Sequence, residues 1–295
     1  MTLTTRGYLY AFIATICGSL VYLFSKAALN EVSLPQFGFY WFATAIFFNS
    51  LMALHPRGGF SIRAFTRADY RTLLYMGLIE VVATTSLYAA ISLSSNPAVP
   101  SFLRNLEYLF VTLFGIWLLS ERFGKLAKAG ALLTLAGAFI ISFRQSSFSG
   151  FITGTSGLML LSTSFYAART ILAKKHIGEI RPVVLALNRA IFLLSFATVF
   201  MFAFRYSFVI PARAFLFIVS GSFVGPFLTS VFQYSALRYI EASRAAIVQS
   251  TTGLFVLIGA FLIFGNLPAG IQIAGGMLAM AGVVLMMKKA SVTEH

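Results

Sequence analysis

Charge is scarce in this chain, and acidic charge scarcest: 295 residues carry 8 Asp and Glu against 22 Lys and Arg, a formal net charge of +14. Only 10% of residues are charged while 59% are hydrophobic, and the mean hydropathy is +0.87. A water-soluble domain of this length cannot hide that much apolar surface in one core. The single cysteine, Cys17, excludes an intramolecular disulfide and a cysteine-based metal site. The three histidines, His55, His176 and His295, fall in loops or the tail. The apolar stretches therefore hold no His, Asp or Cys cluster of metal-ligand or nucleophile type, so neither an enzyme nor a bound cofactor is expected.

What is present is apolar length. A helix needs roughly 20 apolar residues to cross the hydrocarbon layer. Ten runs approach or reach it: Gly7–Leu29, Pro35–Leu54, Leu73–Ser94, Ala98–Leu119, Ala127–Phe143, Phe151–Leu172, Val183–Phe204, Phe215–Leu237, Ala245–Phe264 and Ala269–Met287. Stretches such as Phe192–Phe204 are apolar on every side, which a spanning strand, with its alternation, is not. The first run lacks a convincing cleavage site and is long for a signal-peptide core, so it is expected to stay in the mature protein. The fold class expected is an all-α, multi-pass membrane protein.

The positive charge has a pattern that removes nucleic acid from consideration. With the N-terminus in the cytoplasm, the inside receives Arg6, then Arg57, Arg63, Arg67 and Arg71, then Arg122, Lys125 and Lys128, then Lys174, Lys175 and Arg181, then Arg238 and Arg244, then Lys288 and Lys289. The alternate loops keep only Arg144, Arg205 and Arg213. Enrichment of Lys and Arg on cytoplasmic loops sets topology, so both termini are expected in the cytoplasm and the chain in the inner, cytoplasmic membrane.

A shift of 145 residues lays Leu109-Phe110-Val111 on Leu254-Phe255-Val256, Gly130 on Gly275, and Ala136-Gly137 on Ala281-Gly282; one register change upstream pairs Tyr88 with Tyr234. A common shift across consecutive helices points to internal duplication. Residues 1–146 and 147–295 are then two repeats of five spans, and an odd number makes the second copy enter the membrane from the opposite side. Glu121, Arg122, Lys125 and Lys128 of the first copy face Asn266, Leu267, Gly270 and Ile273 in the second, the loss of charge expected of a loop moved outside. The short Ser- and Gly-containing stretch from Arg144 to Gly150 makes a turn rather than a tether, so the halves are expected to form one packed unit.

The segment Tyr234-Ser-Ala-Leu-Arg-Tyr-Ile-Glu-Ala-Ser-Arg-Ala-Ala246 resembles the connection between helices eight and nine of the drug/metabolite transporter superfamily, specifically its ten-helix EamA-type permeases. Leu118-Leu-Ser-Glu-Arg-Phe123 is similar to that family's Leu-Gly-Glu-Arg turn, and Cys17-Gly18-Ser19 followed by Lys26 to its Trp-Gly-Ser and lysine in helix one. Departures are Cys17 for Trp, Tyr108 and Gly253 where helices four and nine often carry proline, and Phe42 where helix two often has arginine, whose second-half counterpart stands as Arg189. The resemblance covers both halves and implies secondary transport of a small organic solute, commonly export, with the solute and the lipid bilayer as partners.

Ionisable side chains at mid-membrane are costly and mark function by default. Here they are Lys26, Glu80, Arg104, Glu107, Arg169 and Arg189. Glu80, Thr84 and Tyr88, four apart, form one helical stripe expected to line a cavity. Arg104 and Glu107, three apart, either pair structurally or divide the work of holding a solute carboxylate and exchanging a proton. Glu80 is the other carboxylate placed to carry a proton. Lys26 and Arg169 lie near helix ends and are expected to snorkel toward headgroups.

Helix eight presents Ser222, Pro226, Thr229 and Gln233 on one face, with Gly225-Pro226 placed to break its hydrogen-bond ladder. Gln249 and Ser250-Thr251-Thr252-Gly253 offer hydrogen bonds or close helix packing. Tyr22, Tyr166, Tyr234 and Phe165 offer gating or stacking surfaces, though most aromatics in so aromatic a chain pack in the core or face lipid. The excess of membrane-buried cations over carboxylates leans toward a solute such as an amino acid or other carboxylate. A channel-like protein or a lipid translocator stays open beside the carrier.

Overall fold

In a computed structural model the chain is described at residues 3–54, 66–119, 125–142, 154–176, 182–236, 239–240, 245 and 248–287. Every regular element among them is helical, because a helix satisfies its own backbone groups where no water can. The helices are α1 (Leu3–Leu29), α2 (Leu34–Leu54), α3 (Arg67–Leu93), α4 (Ala98–Leu103), α5 (Leu106–Leu119), α6 (Lys125–Ser142), α7 (Thr155–His176), α8 (Pro182–Ala203), α9 (Ala212–Ser222), α10 (Ser230–Ala236), α11 (Thr252–Phe264) and α12 (Gly270–Met287). A π-helical stretch, Phe223–Thr229, joins α9 to α10. Four stretches, Thr5–Leu29, Arg67–Leu93, Val183–Ala203 and Ala212–Gln233, are long and apolar enough to cross a membrane, and Lys128–Ile141, Thr252–Phe264 and Gly270–Leu285 are shorter apolar helices. Many of the basic loop residues that carry the topology argument, such as Arg57, Arg122 and Arg244, lie outside the described residues.

Local chemistry sets several ends. Thr66 caps α3 reciprocally: its Oγ1 accepts from the Asp69 N–H at 3.2 Å while Asp69 Oδ2 accepts from the Thr66 N–H at 2.8 Å. Gly265, at φ 63°, ends α11 in the left-handed conformation that glycine adopts without strain.

Three expected spans are interrupted. Ala98–Leu119 divides into α4 and α5, because the ladder changes from the i−4 bond of Arg104 N–H to Pro100 O (3.0 Å) to the i−3 bonds of Asn105 N–H to Phe102 O (3.1 Å) and Glu107 N–H to Arg104 O (2.9 Å). Within Phe215–Leu237, Pro226 has no N–H to donate, and the chain widens around it into the π-helical stretch. The Ala245–Phe264 run turns at Ser250–Thr251 before α11 begins.

Packing crosses between the halves. The most extensive contacts join α6 to α12, α3 and α5 to α7, α2 to α8, and α1 to the α9–π–α10 rod. The α6–α12 seam is close because glycines leave room: a Cβ on Gly137 would lie 2.5 Å from Ala279 N and Gly275 O, and one on Gly282 would meet Thr134 and Gly130. Phe102 of α4 fills the space left by Gly253 and Gly276. Polarity is inverted relative to a soluble fold. Leu132, Val209 and Leu262 are 67%, 83% and 76% exposed, while Glu80, Glu107 and Arg169 are 2%, 4% and 4% exposed. Lipid as solvent accounts for both ends of that distribution.

Candidate functional site: a charged cavity between the repeats

The interruptions converge on one cavity of about 90 Å³, several times the space one water needs. Its wall includes Tyr22 and Gly18 of α1, Tyr88 of α3, Arg104 at the α4–α5 break, Tyr108 of α5, Tyr166 and Arg169 of α7, and Arg189 of α8. The remaining wall is uncharged and mixed: apolar Ala14, Val21, Leu87 and Pro226 stand beside polar Thr229 of the π-helical stretch, Gln233 of α10, Gln249 and Thr252.

Behind the arginines lie the two carboxylates. Glu80 receives Arg169 Nη1 at 2.9 Å on Oε1, has Arg189 Nε 3.1 Å from Oε2, and accepts from Thr84 Oγ1 at 2.8 Å. Glu107 pairs with Arg104 at 3.1 Å, accepts from Thr170 Oγ1 at 3.3 Å, and lies 3.9 Å from Arg169 Nη2. Arg169 thus bridges both carboxylates. Multiple partners offset the heavy cost of burying each charge.

Tyr166 sits at the centre of this cluster. Its hydroxyl is 2.7 Å from Thr84 Oγ1 and accepts from Arg189 Nη2 at 3.3 Å, while the Arg104 and Arg169 guanidiniums lie 4.5 and 4.9 Å from its ring centroid. Cation–π contact suits the planar guanidinium and gains strength where water is excluded. Three guanidiniums against two carboxylates leave the described cluster one positive charge in excess, and the guanidiniums, not the carboxylates, form the wall. Chemically such a wall can take an anionic group through charge-assisted hydrogen bonds, with amide and hydroxyl groups opposite. Gln233 Nε2 donates to Gln249 Oε1 at 3.3 Å across that opposite side.

The sequence candidates distribute as follows. Tyr22, Tyr88, Arg104, Tyr166, Thr229, Gln233 and Gln249 line the cavity. Glu80 and Glu107 stand behind it, and Thr84 bonds Glu80 while facing a second, apolar crevice. The side chain of Tyr234 lies outside the described residues. Ser222 turns away to share a 2.7 Å hydrogen bond with Thr44.

Two expectations are corrected. Arg169 does not snorkel: it is 4% exposed and held by Glu80, because an internal carboxylate pair outcompetes the headgroup region. Lys26 is likewise buried, its Nζ donating to Ser92 O at 3.1 Å, where the C-terminal carbonyls of α3 attract a cation. Sequence reasoning also missed Tyr108 and the bridging role of Arg169. The rule that intramembrane charges seek one another was the signal for Arg169; Tyr108 stood out only for occupying a position where helix four of the resembled family often carries proline, which does not point to a cavity wall.

Among the described residues no group of three His, Cys, Asp or Glu side chains is placed to hold a metal ion. The family model of the EamA-like transporter family matches residues 5–143 and 155–288. No curated protein matches the sequence. A solved crystal structure, described only as that of a protein, aligns over 99% of this chain and 98% of its own at 15% identity with a TM-score of 0.71, a likeness of fold alone.

Proposed function

Given that the chain belongs to the EamA-like transporter family, its model matching both halves, we propose that it is a secondary active transporter of a small carboxylate-bearing metabolite such as an amino acid, working as an exporter or exchanger. The observation that carries this reading is the cavity wall of Arg104, Arg169 and Arg189 facing Thr229, Gln233 and Gln249. A carboxylate binds the guanidinium side by charge-assisted hydrogen bonds, and the rest of the solute meets hydroxyls and amides.

The chain crosses the inner membrane ten times with both termini in the cytoplasm, and residues 1–146 and 147–295 form inverted repeats of one unit. Alternating access about the cavity is the mechanism this reading implies. Since α1 adheres to the α9–π–α10 rod and α3 and α5 adhere to α7, the bodies that rock about the cavity mix helices of both repeats. Glu107 is the proton-exchanging group of choice, as its partner Arg104 has the most exposed side chain of the three cavity arginines, 23% against 5% for Arg169 and 18% for Arg189. A solute carboxylate that takes Arg104 removes the nearer of the two guanidiniums beside Glu107, the other being Arg169 at 3.9 Å, and proton exchange at Glu107 is thereby coupled to solute binding; counter-solute exchange is the alternative coupling.

The test is counterflow of labelled amino acids, organic acids, amines and nucleosides in proteoliposomes, with and without a pH gradient. Saturable, trans-stimulated flux of carboxylates supports the reading. Flux that follows the gradient without counterflow replaces it with a channel, and preference for amines overturns the solute class.

A further inference from the structure

The second cavity, of about 120 Å³, lies among α2, α3 and α8 and contributes nothing to the charged site's wall except Tyr88, which borders both. It is lined along α2 from Leu34 through Phe37 and Gly38 to Phe42, and along α8 from Leu193 through Ala197 to Phe200. At 1.5 Å per residue these edges run about 12 and 10 Å parallel to the helix axes. The space is therefore a slot lying along the direction in which lipid chains lie.

Its walls are carbon apart from Thr84, Thr85 and the Tyr88 hydroxyl. One edge reaches the molecular surface at Phe200, 36% exposed, beside Val199 and Phe202 at 62% and 66%. The interior is deep: Phe37, Phe42 and Leu193 are 0%, 3% and 2% exposed. A narrow apolar slot that opens on the hydrocarbon layer and follows its normal meets one apolar solute at high concentration, the acyl chain.

We propose that this slot is a binding site for one acyl chain of a membrane phospholipid, which enters past Phe200 and ends against Thr84 and Tyr88. This rests on the chain's placement in a bilayer and is independent of the solute class or direction of transport. The inner end of the slot is one side chain from the charge cluster: Thr84 bonds Glu80 at 2.8 Å and Tyr166 at 2.7 Å. Tyr88 packs its ring on Phe37, Trp41 and Phe42 at centroid distances of 4.8, 5.6 and 6.3 Å. A chain in the slot supports the face of Tyr88 opposite the transport cavity, so the lipid bears on the position of a cavity residue. The competing occupant is an apolar group of the transported solute itself.

The experiment uses the full chain in phospholipid nanodiscs doped with a phosphatidylcholine carrying a diazirine in its acyl chain, followed by irradiation and peptide mass spectrometry. Label on Phe37, Phe42 or Leu193, which bulk lipid does not touch, at a level comparable with that on exposed Val199 and Phe202 is the expected result. Ala197→Leu, whose side chain extends into the slot opposite Gly38, is expected to lower the buried label at least fivefold while leaving the surface label unchanged. Thr85→Leu is the second filling variant should the first unfold. Label confined to surface residues in the wild-type protein overturns the site. Labelling of Phe37, Phe42 or Leu193 by a free amino acid with a diazirine in its apolar side chain, together with loss of the lipid label from them, overturns the occupant and assigns the slot to an apolar group of the solute. Neither readout requires transport, so failure of the transport reading leaves this result standing.

Discussion

Arg104 and Gln249 stand 145 residues apart, at equivalent positions of the two repeats, and both face the cavity where their helices are interrupted. The turn at Arg104–Asn105 in one repeat answers the turn at Ser250–Thr251 in the other. Duplication thus placed the same backbone irregularity on both sides of the site. Divergence made one side cationic and the other neutral: Arg104 and Glu107 of the first repeat correspond to Gln249 and Thr252. Interrupted helices inside a membrane are tolerated where protein or a wet cavity encloses them.

That asymmetry predicts the effect of removing the accessible charge. Arg104→Gln is expected to weaken carboxylate binding by roughly tenfold to a hundredfold, the worth of one charge-assisted hydrogen bond of about 1.5–3 kcal/mol, with a smaller drop in melting temperature than Glu80→Ala, because Glu107 keeps Thr170 and Arg169 as partners. Isothermal titration of the detergent-solubilised variant with the counterflow substrate measures it. Unchanged affinity would remove Arg104 from the binding wall.

Glu80 is expected to matter for stability before transport. Glu80→Ala strands Arg169 and Arg189 without their shared carboxylate, and breaking a buried pair by removing one partner costs about 3–5 kcal/mol. Thermal unfolding in detergent should show a clearly lower midpoint than for Arg104→Gln. A midpoint equal to wild type contradicts the paired arrangement.

Glu107→Gln keeps the shape of the side chain while abolishing proton exchange. Protein abundance and solute counterflow are expected to persist, and uptake driven by an imposed pH gradient to fall to background. If that driven flux survives, Glu107 does not carry the coupling proton.

The α6–α12 seam is expected to reject any side chain larger than hydrogen at Gly137, since a Cβ there already meets backbone atoms 2.5 Å away. Gly137→Leu should lower folded yield severalfold by size-exclusion chromatography. The exposed neighbour Leu132, 67% accessible, should tolerate Leu132→Ala with nearly full yield.

The reading of elements from composition succeeded where lipid imposes the rule. The all-helical character needed only the count of apolar residues and the cost of an unpaired backbone group in hydrocarbon. The Gly225-Pro226 irregularity was equally visible, because proline cannot donate wherever it sits. The Arg104–Glu107 pair followed from three-residue spacing, and the structure sets those groups 3.1 Å apart. The break after Arg104 was not legible: the change of ladder falls at Arg104–Asn105, several residues beyond Pro97 and Pro100, where no local residue marks it.

By itself the sequence determined that the chain must use lipid as its solvent, that its elements must be helices, and that its halves repeat. Each of these depends on composition or on spacing along one chain. Which charges meet between helices was decided only by tertiary structure. Glu80 and Arg169 are 89 residues apart and paired at 2.9 Å, and α3 lies on α7 through the packing of many apolar side chains that no local pattern encodes. Arg169 looked like a helix-end cation free to reach the headgroups. The neighbouring helix supplied a carboxylate at the same depth, and in a medium of low dielectric an opposite charge within reach determines where a guanidinium rests.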